Sequence, residues 1–255
     1  MKLLLFDLDE TLLTSEKSIS PRTLAALAAC RARGLLLGVS TARGEHNVQP
    51  CMGDFRPDIL VASGGAVVVR GDERIHMAEI PAAETRFIID SARRICGGDC
   101  GITVDTADAH YGNFEIEPEL LYMNWGESLY SDFRDFELPA LKISVELPDP
   151  MKAEELRALL PHLDFEHFSG GNWYKFTQQG ATKGHAVDIV CAALGILPGE
   201  VVAFGDDYTD IGMLKRCGIG VAMGNAIEEV KAAADIVIGG NDEDGIALYL
   251  ESCLL

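Results

Sequence analysis

Near its start the chain reads Leu3-Leu4-Leu5-Phe6-Asp7-Leu8-Asp9-Glu10-Thr11-Leu12, an apolar run that ends in a group of acidic residues. The apolar part predicts a buried strand from Leu3 to Leu8. Asp7 and Asp9 stand two residues apart, so an extended chain places both carboxylates on one face. Because like charges repel at such a distance, the pair predicts a shared cation or proton. The plain alternative is a solvated turn between a strand and a loop.

Strands and helices alternate along the residues that follow. Ser20-Pro21 predicts a helix start, with serine as the N-cap and proline in the first turn. Leu35 to Val39 and Ile59 to Ala62 predict two more buried strands, and Val67 to Ile80 predicts a hairpin. Strand, helix and strand in this order indicate a parallel sheet with right-handed crossovers.

The middle of the chain has a different pattern, in which aromatic residues and prolines concentrate among shorter strands and helices. The alternation of helix and strand resumes at Thr182. We therefore predict an α/β fold with a doubly wound, mostly parallel Rossmann-like core sheet and an inserted α+β cap domain. The predicted core comprises residues 1–81 and 179–255, and the predicted cap comprises residues 82–178.

Polar residues also follow the other strands predicted for the core. Ser40-Thr41-Ala42-Arg43 offers a hydroxyl and backbone amides that can hold phosphate oxygens. Thr182-Lys183-Gly184 starts a helix with a lysine, a point charge suited to phosphate. The strand Val201 to Phe204 leads into an acidic cluster, Gly205 to Asp210. Each segment alone could be a cap, a surface lysine or a turn, but together they predict a phosphate and metal site.

Together these segments resemble the haloacid dehalogenase superfamily, and within it the Cof-type phosphatases with a large α/β cap. The segments that carry the resemblance are Asp7-Leu8-Asp9-Glu10-Thr11-Leu12, Ser40-Thr41-Ala42-Arg43, Lys183-Gly184, Gly205-Asp206-Asp207-Tyr208-Thr209-Asp210 with Met213-Leu214, Val221-Ala222-Met223-Gly224-Asn225-Ala226, and Asp244-Gly245. The resemblance covers both ends of the chain, whereas the middle matches such caps in position and size more than in sequence.

The resemblance implies a Mg²⁺-dependent phosphatase in which Asp7 is the nucleophile and forms an aspartyl-phosphate. Asp9 is implied as the acid that protonates the leaving alkoxide and as the base that then activates water. The implied catalytic residues are Asp7, Asp9, Thr41 and Lys183. The implied phosphate- and substrate-binding residues are Thr41, Ala42, Arg43, Lys183, Thr209 and Asn225. The implied metal ligands are Asp7, Asp9 through its backbone carbonyl, Asp206 and Asp210.

The sequence departs from the family pattern at two positions. Thr209 stands where the family usually has asparagine, and a threonine side chain is shorter. The segment Ser63-Gly64-Gly65-Ala66 has no asparagine before its second glycine, where the family often has one. Each departure affects a polar contact that the resemblance would place near the site.

Composition excludes several functional classes. The chain has 255 residues and a net charge of −19, so binding to nucleic acid or to an anionic membrane is not expected. The longest uncharged apolar stretch, Ile59 to Val69, is too short to span a bilayer. Seven cysteines show no disulfide or zinc spacing, so we expect reduced thiols and a cytoplasmic protein. The oligomeric state is left open.

The expected partner is a small phosphorylated metabolite, with sugar phosphates favoured. Residues 99–137 contain ten acidic residues and one basic residue, Arg134. If part of this stretch faces the active site, a substrate with several anionic groups is disfavoured. The alternative is an ordinary acidic surface. The ten acidic residues are Asp99, Asp105, Asp108, Glu115, Glu117, Glu119, Glu127, Asp132, Asp135 and Glu137.

Two other functions stay open at this point. A phosphomutase or phosphotransferase would pass the phosphoryl group from Asp7 to a second hydroxyl rather than to water. A non-catalytic phosphate-binding module is disfavoured because Asp7, Asp9, Lys183 and Asp206 are all present. The six histidines show no pattern that predicts catalysis.

Overall fold

A computed structural model of the protein describes residues 1–98, 100–114, 127–169 and 171–253. Their strands form one sheet of eight strands and one of six. The eight-stranded sheet is built from both ends of the chain, and the six-stranded sheet is built from its middle. The predicted α/β fold, with a second α+β unit inserted between two core segments, is therefore confirmed.

The strands are numbered along the chain: β1 (Leu3–Phe6), β2 (Leu36–Ser40), β3 (Ile59–Ala62), β4 (Val67–Arg70), β5 (Glu73–Met77), β6 (Ile102–Asp105), β7 (His110–Gly112), β8 (Leu129–Tyr130), β9 (Lys142–Glu146), β10 (Leu163–His167), β11 (Trp173–Gln178), β12 (Val201–Gly205), β13 (Ile219–Ala222) and β14 (Ile236–Val237). The α-helices are α1 (Pro21–Ala32), α2 (Gln49–Met52), α3 (Ala82–Cys96), α4 (Pro150–Ala158), α5 (Lys183–Leu194), α6 (Ile211–Arg216), α7 (Glu228–Ala233) and α8 (Gly245–Cys253).

The core sheet has the strand order β14-β13-β12-β1-β2-β3-β4-β5. Pairing is parallel from β14 to β3 and antiparallel for β4 and β5. All four residues of β1 are buried. Because successive side chains of a strand point to opposite faces, both faces of the sheet must be covered here. Helices α1 and α8 pack on each other, and α6 packs on both α5 and α7.

Side-chain caps fix the starts of the two helices that matter most for the core. Ser20 accepts a hydrogen bond from the amide of Thr23, with Pro21 in the first turn, as the sequence predicts. Thr182 accepts one from the amide of His185 and so places Lys183 at the first position of α5. The N-cap at Thr182 therefore fixes the position of the buried Lys183.

The cap sheet has the order β10-β11-β9-β6-β7-β8 and one apolar face. Ile102 and Val104 of β6, with Ile143 and Val145 of β9, belong to a buried cluster that includes residues of α3 and α4. Since side chains alternate along a strand, Thr103, Lys142 and Ser144 lie on the opposite face. That face is turned toward the carboxyl ends of the core strands, where all three line a cavity.

The sequence did not predict two strands of the cap, β7 and β8. They have three and two residues, too few to show an alternating pattern, and β7 ends in a glycine. The other strands were predicted, and their predicted ends coincide with the observed ones or differ by up to three residues. The exact boundaries of the cap at residues 82 and 178 stay a prediction.

Two further expectations concern cysteines and the membrane. Cys96 and Cys100 form a disulfide next to the end of α3, which corrects the expectation that all thiols are reduced. The five other cysteines carry free thiols. Across the described ranges, no helix combines the length and the apolar composition that a bilayer crossing requires.

Candidate active site

Three adjacent core strands end at one place. β1 lies between β12 and β2, and the first residues after these strands are Asp7, Asp206 and Thr41. Parallel neighbours end at the same edge of a sheet, which brings residues from distant parts of the chain together. All three side chains line one cavity of about 470 Å³. The sequence-based prediction that these segments converge is therefore supported by the geometry.

A tight turn after β1 adds a hydroxyl to this edge. The amide of Asp7 donates to the carbonyl of Phe204 at 2.9 Å, which continues the pairing with β12. The chain then turns over Leu8–Leu12, where Glu10 takes a left-handed φ of 57°. The turn brings Thr11 back, and its hydroxyl donates to Asp206 Oδ1 at 2.6 Å.

Lys183 links the ends of two strands. Its Nζ lies 2.6 Å from Asp7 Oδ1 and 2.6 Å from Asp210 Oδ1, and all three side chains are buried. Asp210 Oδ2 accepts hydrogen bonds from the amides of Asp206 and Asp207, each at 3.1 Å. Burial alone would lower the pKa of Lys183, but Asp210 and Asp7 raise it above its ordinary value. Lys183 is therefore a permanent positive charge beside Asp7.

One lysine does not balance the carboxylates around it. Carboxylate oxygens of Asp7, Asp206 and Asp210 lie within 4.8 Å of one another. Burial raises the pKa of Asp7 well above its usual range; Lys183 opposes this, and Asp210 and Asp206 add to it. Burial, then the charge of Asp210, raises the pKa of Asp206 to about 7. The raised pKa values show that these carboxyl groups lack enough positive charge nearby to stabilise all of them in the ionised form.

These residues fit a divalent cation. Carboxylate oxygens are the ligands that Mg²⁺ prefers, and it needs only one or two of them when phosphate and water complete its shell. Both oxygens of Asp210 are occupied by Lys183 and two backbone amides. Asp7 and Asp206 are thus the better placed direct ligands, with Asp210 supporting them.

Asp9 faces a different set of partners. Arg43 donates to both of its oxygens, from Nε to Oδ2 and from Nη2 to Oδ1, each at 2.7 Å. Lys17 Nζ lies 3.3 Å from Oδ1 and 2.9 Å from Glu10 Oε1. Burial raises the pKa of Asp9, but Arg43 and Lys17 together bring it below its ordinary value. The carboxylate of Asp9 is thus held by cations, whereas its predicted metal contact involves the backbone carbonyl.

The segment after β2 is also buried at the cavity. Thr41 Oγ1 accepts a hydrogen bond from the amide of Arg43 at 3.1 Å, so the threonine shapes the turn. Thr41, Ala42 and Arg43 all line the cavity, as does Thr209 from the acidic cluster after β12. The structure therefore brings together five of the six residues predicted to bind phosphate or substrate, the fifth being Lys183.

Asn225 is the exception. Its Nδ2 donates to the carbonyl of Glu10 at 2.8 Å, and its Oδ1 accepts from the amide of Asn241 at 3.1 Å. Within the part of the chain that the structure describes, it is not among the residues lining the cavity. The amide group of Asn225 thus fixes the turn after β1, and its contact with phosphate stays a prediction.

Sequence reasoning missed a cluster that the cap contributes. Asp105, at the end of β6, is 1% exposed and lies 2.9 Å from Lys142 Nζ. His110 Nδ1 lies 2.5 Å from Asp105 Oδ1, and the hydroxyl of Ser63 donates to Oδ2 at 3.0 Å. Lys142 Nζ also donates to the carbonyl of Ala42 at 2.5 Å. This cap cluster (Asp105, His110 and Lys142) therefore connects the cap to the turn after β2.

A signal for part of the cluster was present in the sequence. Ile102-Thr103-Val104-Asp105 and Lys142-Ile143-Ser144-Val145 alternate polar and apolar residues in short strands. Such alternation predicts one polar face, and polar residues facing a cavity are candidates for substrate contact. His110 carried no comparable signal because its strand is only three residues long.

The acidic stretch of the cap does not form the cavity wall where it is described. Asp99, Glu115, Glu117 and Glu119 lie outside the described residues. Asp105 is neutralised by Lys142, and the other described acids of the stretch are not among the residues lining the cavity. The described members therefore give no support to the idea that this stretch repels polyanions.

Comparison with known proteins agrees with this geometry. A model of the haloacid dehalogenase-like hydrolase family matches residues 4–250. A Haemophilus influenzae protein regarded as a phosphatase is 31% identical over 257 residues, which cover 96% of this chain and 95% of that protein. The pyridoxal phosphate phosphatase YbhA of Escherichia coli is 28% identical over 287 residues, which cover 100% of this chain and 99% of that protein.

A solved structure is similar over nearly the whole length. It is that of a sugar phosphatase of subclass IIB of the haloacid dehalogenase superfamily, and it is 25% identical to this chain. The superposition has a TM-score of 0.84 and covers 99% of this chain and 98% of the other. Both sheets of the present fold therefore have counterparts in a phosphatase.

Proposed function

The chain belongs to the haloacid dehalogenase-like hydrolases, as one of their Cof-type phosphatases, and from this premise we propose a specific reaction. The protein hydrolyses phosphomonoesters of small hydroxyl-bearing metabolites, such as sugar phosphates, with Mg²⁺ and an aspartyl-phosphate on Asp7. The observation that supports this most is the buried contact of Lys183 with both Asp7 and Asp210 beside Asp206. It joins a nucleophile, a fixed cation and an acidic pair in one cavity.

Two half-reactions use the same residues. In the first, a carboxylate oxygen of Asp7 bonds to phosphorus while the ester oxygen leaves with its electron pair and takes a proton from Asp9. In the second, water bonds to phosphorus and gives a proton to Asp9, and Asp7 leaves as a carboxylate. Inorganic phosphate is released and both side chains return to their starting state.

Arg43 must change partners during the first half-reaction. Its two hydrogen bonds hold Asp9 as an ionised acceptor, so Asp9 can act as an acid only after this contact is broken and its carboxylate has taken up a proton from solvent or from a singly protonated phosphate ester. Thr41 and Ala42 lie beside Arg43, so phosphate oxygens bound at this turn would offer the guanidinium new acceptors. Lys183 keeps its place on Asp7 and offsets the charge of the phosphoryl group.

Asp7 and Asp206, with the carbonyl oxygen of Asp9, are the residues that would hold Mg²⁺. When bound, the ion supplies positive charge beside the phosphoryl oxygens and the acidic cluster. Asp210 would maintain this set indirectly, through the amides of Asp206 and Asp207 and through Lys183.

The charges of the cavity favour a leaving group without a second anion. Every lysine and arginine among the described lining residues is already paired with a carboxylate. The pairs are Lys17 with Asp9 and Glu10, Arg43 with Asp9, Lys142 with Asp105, and Lys183 with Asp7 and Asp210. A second anionic group would have to displace one of these carboxylates, whereas hydroxyl groups need only hydrogen-bonding partners.

Phosphatase activity on p-nitrophenyl phosphate tests the chemistry. We expect turnover that depends on Mg²⁺ and is lost in EDTA, with one inorganic phosphate released per ester cleaved. Asp7→Asn should lower kcat by about a thousandfold or more, since the nucleophile is removed. The exposed residue Asp54 gives the matched control, and Asp54→Asn should behave as wild type. Wild-type turnover by Asp7→Asn would exclude the proposed nucleophile.

A panel of phosphorylated metabolites then tests the substrate class. It should contain hexose and pentose monophosphates, a hexose bisphosphate, phosphoglycolate and pyridoxal phosphate. We expect the highest kcat/KM with a sugar monophosphate. A clear preference for the bisphosphate or for phosphoglycolate would leave the phosphatase chemistry intact and reject the proposed substrate class.

A further inference from the structure

His110 is the histidine that the cap places in the cavity wall. It begins β7, is buried, and lines the cavity together with Thr103 and Ser144 of the neighbouring strands. Thr103 pairs directly with Ser144 between β6 and β9, and it pairs with Gly112 of β7. A Cβ added at Gly112 would lie 3.1 Å from the hydroxyl of Ser128, so the chain packs closely at this position.

The orientation of the imidazole is fixed by Asp105. Nδ1 lies 2.5 Å from Asp105 Oδ1, and the same carboxylate is held by Lys142 and Ser63. Burial works to raise the pKa of Asp105, but Lys142 and His110 together hold it well below its ordinary value. An ionised carboxylate can only accept hydrogen bonds, so Nδ1 carries the hydrogen.

This arrangement leaves Nε2 for a ligand. The hydrogen bond of the imidazole to Asp105 uses Nδ1, and the ring itself lines the cavity. In a neutral imidazole with hydrogen on Nδ1, Nε2 is an acceptor. The hydroxyl groups of Thr103 and Ser144 lie in the same wall and can donate or accept.

We propose that His110, oriented by Asp105, is a specificity-determining residue that accepts a hydrogen bond from a hydroxyl group of the leaving group through Nε2. The inference rests on the proposed function, because the leaving group is the part of the substrate that lies beyond the phosphoryl group. Thr103 and Ser144 bind further hydroxyl groups of the same ligand. His110 takes no part in cleavage of the phosphate ester.

The charge of the cap cluster favours a hydroxyl over an anion as the ligand. The charges of Lys142 and Asp105 cancel each other. A carboxylate or phosphate at Nε2 would require a protonated imidazole and would face the acidic residues of the core across the cavity. A hydroxyl requires neither, and it supplies the donor that Nε2 needs.

The test compares substrates that differ in hydroxyl groups on the leaving group. His110→Asn keeps an amide that can donate to Asp105 and removes the group that occupies the position of Nε2. In His110→Asn, kcat/KM with Mg²⁺ should fall about tenfold more for D-glucose 6-phosphate or D-ribose 5-phosphate than for p-nitrophenyl phosphate. His110→Gln, which restores a polar group near that position, should recover part of the loss. His162→Asn, at an exposed histidine, is the matched control.

Each outcome bears on one claim. A tenfold or larger selective loss supports the proposal, and equal losses with all substrates would make His110 a packing residue only and overturn it. If wild type cleaves p-nitrophenyl phosphate but no sugar phosphate, this inference fails while the phosphatase chemistry stands. If wild type cleaves nothing, the proposed function itself fails.

A direct measurement covers the case in which the His110 variants do not fold. In Asp7→Asn, the ¹⁵N resonances of the His110 ring should report hydrogen on Nδ1. Adding D-glucose 6-phosphate should shift the Nε2 resonance, and adding inorganic phosphate alone should shift it much less. Equal shifts with both ligands, or none with either, would overturn the proposal.

Discussion

The core and the cap each bury a lysine against aspartate, and the two regions differ in how far the charges balance. In the core, Lys183 contacts Asp7 and Asp210 with Asp206 close by, and the pKa values of Asp7 and Asp206 stay raised. In the cap, Lys142 meets the single carboxylate of Asp105, whose pKa is lowered.

The comparison shows which ion pair holds a structure together and which is prepared for a ligand. A balanced pair with further hydrogen bonds is stable without any ligand. An unbalanced acidic cluster keeps a demand for positive charge that a cation can meet. The following predictions test this contrast, beginning with the largest expected effect.

Removing the two lysines should separate catalysis from structure. Lys183→Met should lower kcat/KM for p-nitrophenyl phosphate by about a thousandfold, because it removes the charge beside the nucleophile. Lys142→Met should lower kcat/KM about tenfold, because Lys142 is paired with Asp105 and reaches the turn after β2 through the carbonyl of Ala42. Steady-state kinetics at saturating Mg²⁺ measure both. Equal losses in the two variants would remove the distinction between the two lysines.

The same cap lysine should matter more for stability than for turnover. Lys142→Met leaves the carboxylate of Asp105 buried with one donor fewer, and breaking a buried pair costs about 3–5 kcal/mol. Urea unfolding at neutral pH measures the loss. Lys2→Met, which breaks an exposed pair with Glu200, is the control and should leave the midpoint unchanged. A loss below about 1 kcal/mol in Lys142→Met would show that the cap pair is not structural.

The stability of the metal-free protein should depend on pH through Asp206. A raised folded pKa means that, between about pH 4 and 7, the folded state binds more protons than the unfolded state. The stability that Asp206 contributes therefore falls as pH rises from about 4 to 7. Asp105 has the opposite sign: its contribution is present above about pH 4 and is lost as pH falls through its lower folded value.

Melting temperatures in EDTA check this prediction. As pH falls from 8 to 5, the melting temperature of wild type should rise by about 5 °C or more relative to that of Asp206→Asn. Saturating Mg²⁺ should raise the melting temperature of wild type at pH 8 and flatten the dependence, since a ligand that binds only the folded state stabilises it. Parallel curves for wild type and Asp206→Asn would contradict the raised pKa of Asp206.

The contrast also explains what could be predicted from the sequence. The site in the core lies at the ends of three adjacent strands, and each strand end carries its own short motif around Asp7, Thr41 and Asp206. Topology brings such ends together without any knowledge of side-chain contacts. The residues of the core site and the fold class were therefore accessible from patterns within about ten residues.

The cap cluster was not accessible in this way. Asp105, His110 and Lys142 come from three strands, and their contacts depend on the register between β6, β7 and β9. A shift of one residue would turn each side chain to the other face. Asn225 is a second case in which side-chain partners could not be read from the sequence. Its motif predicted a contact with phosphate, and the structure shows its amide group bound to Glu10 and Asn241.

The smallest expected effect concerns two of the contacts between the cap and the core. At the buried contact, the hydroxyl of Ser63 donates to Asp105, and at the exposed rim the amide of Ser169 donates to Asp207 Oδ1 at 3.1 Å. Ser63→Ala removes one of several donors to a buried carboxylate and should cost about 1 kcal/mol in urea unfolding. Asp207→Ala should change stability by less than about 0.5 kcal/mol, because its partner can turn to water. The buried carboxylate of Asp105 depends on the number of donors that reach it. A larger loss of stability in Asp207→Ala than in Ser63→Ala would show instead that the contact at the rim stabilises the protein more.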